Sequence, residues 1–459
     1  MTIPPPASRP ARLPGPGPLA SLRYAPALLR RPYTVLPEMH RRYGPVCEVG
    51  GQTGSDRFRF VFLFGREANE LVLSAQVDNF RWRDALAVLI PVDGDTALVV
   101  SDGDDHKRRR RLVQPAFSRK RVDSYLPIVA EEVDAAIDGW APGAVVDAYG
   151  RLRARTRRIV VRALFGPRLE ARADELGDEL QVAIDYVNRP PALRFDHELP
   201  ATAYRRAMRA RRRADAIVFD EIAHRRSIPD AGDRGDVLSA LLAAQDEGGA
   251  GGLTDEEVRD QVVSLIAAGY DTTSAAIGWS IHALYTHAEV LAKARAEVDR
   301  IVGEDALTPE HLADLPYLGG VVSESLRLWP PGPMSARRAV DDFAYAGHRI
   351  PGGRFVVYSA YVTHRLAELW PDPERFDPGR WVPGSATHRE PEPYSFVPFG
   401  GGYRRCIGFG MATLEITTAL ARLVRRVDLE PLGEAPAPTG LATMSPRGGV
   451  RCRVTPRST

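Results

Sequence analysis

The strongest constraint on this chain is one long stretch that reads as a single helix. Leu253-Thr254-Asp255-Glu256-Glu257 opens it, with Thr254 placed to cap the N-terminus and Glu257 placed to complete a capping box. No proline interrupts it as far as His287. At ~1.5 Å per residue this is roughly 50 Å of helix, enough to cross a whole domain. From Val262 to Leu284 it is apolar on nearly every face, so most faces must be covered by protein. A membrane-spanning helix is the rival reading, but Asp271 would then lie near the bilayer centre, where a carboxylate is costly.

The middle of this helix carries Ala268-Gly269-Tyr270-Asp271-Thr272-Thr273. A carboxylate and two hydroxyls inside a buried helix cost stability unless they serve a purpose. Thr272 can bond back to a carbonyl one turn earlier and bend the helix. Gly269 can let a flat ligand approach the backbone. A satisfied helix kink and an active-site groove both fit these residues.

A second helix holds Glu324 and Arg327, which share a face at i, i+3 and precede Pro330-Pro331. Most such pairs are solvated surface pairs worth less than about 1 kcal/mol. The later segment Pro371-Asp372-Pro373-Glu374-Arg375-Phe376-Asp377-Pro378 is stiffened by its prolines and could offer Arg375 to Glu324.

Around these segments the pattern is mainly helical up to about Leu326, then rich in proline and glycine. Strands are expected at Phe58–Phe64 and Arg354–Tyr358, a last helix over about Gly408–Val427, and a hairpin around Ser445–Val450. Seven of the first 18 residues are proline, which predicts an extended tail over 1–18. Residues 19–459 show no repeat and no linker between two cores, so a single mainly α domain with small β-sheets is expected. The N-terminus has no long apolar run, hence no signal peptide and no membrane anchor. A net charge of +2 argues against a nucleic-acid binder or a protein that coats anionic membranes. The basic surplus gathers at Lys107 to Arg111, read as a solvated face or a docking surface for a protein partner.

There are 3 cysteines, Cys47, Cys406 and Cys452, far apart and without a C-x-x-C. A disulfide framework, a four-cysteine zinc site and an iron–sulfur cluster are thereby disfavoured. Cys406 stands apart from the other two. It ends Pro398-Phe399-Gly400-Gly401-Gly402-Tyr403-Arg404-Arg405-Cys406-Ile407-Gly408, directly before the last helix. The glycines permit positive φ and close backbone approach. A thiolate at Cys406 would face the amide groups and positive end of that helix, surroundings that favour the metal-binding form. A phosphate-type glycine loop with a passive cysteine is the alternative.

Taken together, the Ala268–Thr273 segment, Glu324-x-x-Arg327, the Pro371–Pro378 segment and the Phe399–Gly408 loop resemble the cytochrome P-450 family of haem-thiolate monooxygenases, bacterial type. The resemblance runs from about Leu36 to the end. It implies a triangular, prism-like helical haem domain with a smaller β-rich region. It implies haem b with Cys406 as the axial thiolate. Phe399 would then pack by the sulfur, Gly402 and Gly408 would shape the loop, and Arg404 would meet a propionate. His106 and Arg110, at i, i+4, would clasp a propionate too, as would Arg337, with Arg338 as its alternative. Ala268 and Gly269 would line the oxygen groove, and Asp271 with Thr272 would deliver protons. Glu324, Arg327 and Arg375 would form a structural triad.

The resemblance further implies that dioxygen is reduced with two electrons and that one oxygen atom enters an apolar small molecule by hydroxylation or epoxidation. No residues are left for a flavin or iron–sulfur region, so a separate ferredoxin or flavoprotein reductase is expected as donor. Family geometry puts Leu89, Ile90, Gly332, Met334, Ala442 and Thr443 at the substrate. Leu326-Arg327-Leu328-Trp329-Pro330 resembles fatty-acid-hydroxylating members, which hints at a lipid-like, terpenoid or other natural-product substrate. Other classes the same residues could serve are a haem-thiolate isomerase or dehydratase, and a haem-binding sensor without turnover. A cytoplasmic monomer is expected.

Overall fold

The computed structural model describes residues 12–50, 59–187, 189, 194, 197–228, 236–244 and 251–457. Its chain groups into two compact units, each assembled from non-contiguous segments. Of the Gly/Asp-rich breaks that the sequence suggests at Pro229–Asp236 and Gly248–Gly252, residues 229–235 and 248–250 lie outside the described residues, as do residues 1–11 of the tail and Phe58 of the first strand.

The first unit comprises Met1–Ala85, Met334–Pro373 and Pro391–Arg404. Its centre is a five-stranded sheet in the order Val46–Val49, Phe60–Leu63, Phe355–Tyr358, Ser335–Ala339, Phe80–Arg81. Phe60–Leu63 and Phe355–Tyr358 run parallel, and the other pairs are antiparallel. Val46, Val61, Leu63, Val356 and Tyr358 face a core closed by Leu13, Phe80 and Phe343. Leu13 lies inside the expected tail, and the Glu48 amide donates to the Pro14 carbonyl at 2.7 Å, so the end of that segment is packed. A helix, Pro18–Arg30, follows at once.

The second unit comprises Leu86–Pro333, Glu374–Glu390 and Arg405–Thr459. The long helix spans Asp255–Thr286, 32 residues, with the Thr254–Glu257 capping box formed. It packs against the helices Ala148–Phe165 and Phe409–Arg426. Two glycines set its approach to Ala148–Phe165. A Cβ on Gly278 would come within 2.8 Å of the Tyr149 ring, and one on Gly269 within 3.3 Å of Val160. Gly269 therefore contributes to helix packing. A three-stranded sheet, Val145–Asp147, Arg451–Pro456 and Val427–Pro431, closes the unit. The hairpin expected within Ser445–Val450 forms instead between Pro438–Thr439 and Ser445–Pro446. Gly448 and Gly449, both at positive φ, then turn the chain into the last strand.

Candidate active site

Of the 32 residues of the long helix 21 are buried; in its middle Ala267 and Asp271 are half-buried on one side, and on another the partly accessible residues form a row. Ala268 is exposed and Leu265, Gly269 and Thr272 are half-buried. At i, i+3, i+4 and i+7 these four share one face. A row of small residues left accessible in the middle of a mostly buried helix suits a flat, apolar partner. Trp279 continues that face two turns on, but there it is covered. Its ring stacks on Trp329 at 5.1 Å, and its Nε1 donates to the Met444 carbonyl at 3.1 Å. The Met444 amide donates in turn to Pro331 at 2.9 Å. The segments bearing Gly332 and Ala442–Thr443 are thus tied to the long helix, with Gly332 and Ala442 exposed and Thr443 half-buried.

Thr272 Oγ1 donates to the Ala268 carbonyl at 2.7 Å, the bond one turn back that its position suggested. Asp271 lies further round the helix, toward Ala148–Phe165. There Arg153 donates to its Oδ1 from Nε at 2.9 Å and from Nη2 at 2.7 Å. Arg153 Nη2 also reaches Gln181 at 2.9 Å, and Tyr270 donates to the same Gln181 oxygen at 2.5 Å. Burial, with the Asp271 charge adding to it, pushes the Tyr270 phenol up to about 12. Arg153 and Gln181 had no signal in the sequence, since Arg153 is one of five arginines between residues 151 and 158.

Leu89 and Ile90 are half-buried, and Ile90 begins a short helix, Ile90–Asp93, that packs on the long one. Behind them Asp93 is buried, with Ser264 Oγ donating to it at 3.5 Å.

The cysteine loop divides between the units. In the first, Gly400 and Gly402 take positive φ, while Gly401 is buried against Leu73 and Tyr394. A Cβ on Gly402 would meet the Leu73 carbonyl oxygen at 2.1 Å, so no larger residue fits. Phe399 and Met334 are half-buried. Arg337 is fully buried with its guanidinium over the Trp82 ring at 3.2 Å, and Arg404 lies over the same ring at 4.8 Å. Arg338 points out and pairs with Asp84 at 3.5 Å, which leaves Arg337 as the inward residue of the two.

In the second unit, Cys406 is exposed and Gly408, the N-cap residue of the last helix, donates its amide to the sulfur. Crowding by protein pushes the thiol pKa up, against that hydrogen bond and the charges of Arg110 and Arg405. Arg110 Nη2 donates to the Arg405 carbonyl at 2.7 Å, and His106 is buried one turn before it. Of their neighbours, Lys107 and Arg111 face outward as the sequence suggested. Arg108 and Arg109 both turn in to Glu257 Oε1 at 3.1 Å.

Glu324 and Arg327 are wholly buried and joined by two bonds of 2.8 Å. Glu324 also accepts from the Asp377 amide at 3.0 Å, Trp381 Nε1 at 2.9 Å and Arg380 Nε at 3.3 Å. The expected third member, Arg375, is exposed and gives Arg327 only its backbone carbonyl, at 3.2 Å. Arg380 takes the place expected for it because the Asp377-capped turn Pro378–Trp381 carries residue 380 inward.

Residues 13–449 match the family Cytochrome P450. Among similar proteins, cytochrome P450 139 of Mycobacterium tuberculosis is 44% identical over 394 residues, 85% of this chain and 90% of that one. The cyclooctat-9-en-7-ol 5-monooxygenase of Streptomyces melanosporofaciens is 38% identical over 339 residues, 73% of each. The retinoic acid-bound cyanobacterial CYP120A1 superposes with a TM-score of 0.85 at 27% identity, covering 98% of this chain and all of that one. The chain belongs to the cytochrome P450 family. It has that fold and is a monooxygenase carrying haem b on a cysteine thiolate. Among the described residues no helix is long and apolar enough to cross a membrane.

The side chains fit this group. The second unit offers a small-residue strip for a flat macrocycle and an accessible thiol with an amide donor at its sulfur. The first offers two buried guanidiniums on one indole, surroundings that favour an anion such as a propionate.

Proposed function

We propose that Cys406 is the thiolate ligand, that Asp271 and Thr272 handle the protons, and that the substrate is an apolar terpenoid or lipid-like molecule oxidised with electrons from a separate ferredoxin or flavoprotein. The carrying observation is the accessible Leu265–Ala268–Gly269–Thr272 strip with Asp271 beside it. Haem ligated by thiolate, when bound, supplies the reduction of dioxygen and the oxygen insertion. The chain's residues position and tune that chemistry. Thr272 spends its proton on Ala268, so its lone pairs remain to accept from a water in the strip. Asp271 is anchored through Oδ1, which leaves Oδ2 to take up a proton from the helix's other side and pass it inward. Arg404, Arg337, His106 and Arg110 hold the propionates in this reading, and Phe399 and Gly402 hold the loop. Leu89, Ile90, Gly332, Met334, Ala442 and Thr443 surround the substrate.

The substrate class draws on two relatives, one named for an unsaturated cyclic alcohol and one bound to retinoic acid. The test is a spin-state titration with diterpene alcohols, retinoids and fatty acids, followed by turnover of the binders under labelled dioxygen with a ferredoxin and its reductase. Product carrying one labelled oxygen is expected. Product formed without any reductase would favour an isomerase or dehydratase. Spectral binding with no product under any donor would favour a sensor.

A further inference from the structure

The near-neutral charge of the whole chain conceals a strongly uneven start. Residues 1–37 hold five arginines and no acidic residue, against a net charge of +2 for all 459. The first acid is Glu38. Within this segment the helix Pro18–Arg30 is held, among the described residues, from the side that faces Pro32–Tyr43 and Val46–Val49. Ser21 is buried there, donating to the Pro16 carbonyl at 3.3 Å and accepting from the Gly50 amide at 3.3 Å. Tyr24 meets the Tyr43 ring edge-on at 6.4 Å.

The opposite side is apolar and uncovered. Leu22 is 70% exposed and Leu29 45%, and they stand at i, i+7 with exposed Ala25 between them at i+3 and exposed Pro26 at i+4. Isolated exposed leucines are ordinary, but a row of apolar residues along one helical face is not. Arg23 and Arg30, also i, i+7 and also exposed, border that row along its length. Arg12 and Arg31, both exposed, lie just beyond the two ends of the helix. A nucleic acid would use the arginines and leave the leucines in water. A bilayer surface uses both: acyl chains take the leucine row and anionic headgroups take the arginines. With 13 residues, roughly 20 Å long, the helix is too short to span a bilayer and can only lie in its surface.

We propose that the Pro18–Arg30 helix docks this protein on the surface of a bilayer containing anionic lipid, through Leu22, Ala25, Pro26 and Leu29, with Arg23 and Arg30 at the headgroups. The inference does not depend on the substrate. Cosedimentation of the full-length haem protein with phosphatidylcholine vesicles, with and without phosphatidylglycerol, tests it. Binding is expected only with phosphatidylglycerol, and it should weaken as salt is added. Arg23→Gln/Arg30→Gln should lower the partition constant by about fivefold per arginine. Leu22→Glu/Leu29→Glu should abolish binding, with the reduced CO spectrum and thermal midpoint unchanged to certify the fold. Absence of binding, equal binding to neutral vesicles, or full binding by the leucine variant would overturn the proposal. So would a dimer in sedimentation velocity that the leucine variant dissolves, since the face would then belong to a second copy.

Discussion

Arg153 grips Asp271 by one oxygen only, with Nε at 2.9 Å and Nη2 at 2.7 Å from Oδ1. The arrangement fixes the carboxylate through Oδ1 and leaves Oδ2 open, as the proposed proton-handling role requires. Asp271→Asn keeps the shape and an acceptor for Arg153 but cannot exchange a proton. Turnover should fall by about 10²-fold, with a larger solvent deuterium effect. Substrate spin-state shifts should stay the same. A rate within twofold of the parent would remove Asp271 from the proton route.

Thr272 makes a different contribution, because its hydroxyl proton already goes to Ala268 and only its lone pairs can serve a water. Thr272→Ala should leave oxygen consumption largely intact and divert it to hydrogen peroxide. Thr272→Ser should restore most of the product. Parallel assays of oxygen, peroxide and product read the outcome, and unchanged coupling in the alanine variant would show that the hydroxyl is dispensable.

The buried acid of the structural cluster distinguishes two arginines that the sequence could not. Glu324→Ala strands Arg327 in a wholly buried place, a loss of about 3–5 kcal/mol, and should yield little folded haem protein. Arg380→Ala removes a 3.3 Å partner of Glu324 and should lower the thermal midpoint. Arg375→Ala should be nearly silent, because its backbone carbonyl is what reaches Arg327. Haem content and thermal unfolding of the three variants check the order, and a larger loss in Arg375→Ala than in Arg380→Ala would reverse it.

That reversal of roles illustrates what a linear reading can and cannot reach. The long helix was legible because its cap, its lack of proline and its all-round apolarity are local facts. The Glu324–Arg327 pair was legible as a pair, but its burial was not, since i, i+3 spacing is identical on a surface and in a core. Arg380 was missed because the short turn Pro378–Trp381, not sequence distance, decides which arginine points in. Arg153, Gln181 and Trp82 come from elements whose sequence gives no sign of what they face. Gly269 shows a related limit: a missing side chain signals close approach but not by whom, and at its Cβ position the neighbour is Val160.

Gly402 is the opposite case, a glycine whose need is settled by its surroundings. It has φ 60°, and a Cβ would stand 2.1 Å from the Leu73 carbonyl oxygen. Gly402→Ala must shift one backbone or the other, beyond the ~1 kcal/mol that positive φ alone costs a residue with a Cβ. Reduced haem retention and a lower thermal midpoint are expected. Gly400→Ala provides the control, since it shares the loop and a positive φ, 69°, but no protein atom stands within 4 Å of its Cβ position. Equal losses in the two variants would mean that the loop's glycines matter for something other than this contact.

Asp93 gives the fold a pH dependence with a definite sign. It is buried beside Ser264, with Arg211 acting on it as an opposing charge and Asp260 of the long helix as a like one. Arg211 is itself engaged by Asp215 at 2.7 Å and the Pro91 carbonyl at 2.5 Å, and Arg259 bridges Asp215 and Asp260. Burial, the largest cause, raises the Asp93 carboxyl to about 7, with Arg211 and Ser264 acting the other way. The folded state therefore holds a proton that the unfolded chain releases near pH 4. Stability from this group is fully present below that pH, declines as pH rises, and is lost above about 7, with a ceiling of about 4 kcal/mol. Asp215 and Asp260 are raised by burial too and add in the same direction. Asp93→Asn keeps an acceptor for Ser264 and removes the ionisation. Its thermal midpoint should match the parent below about pH 4 and exceed it by a growing margin as pH rises to 8. Parallel unfolding curves over that range, with the parent falling as steeply as the variant, would show that Asp93 ionises at its ordinary pKa in the folded protein.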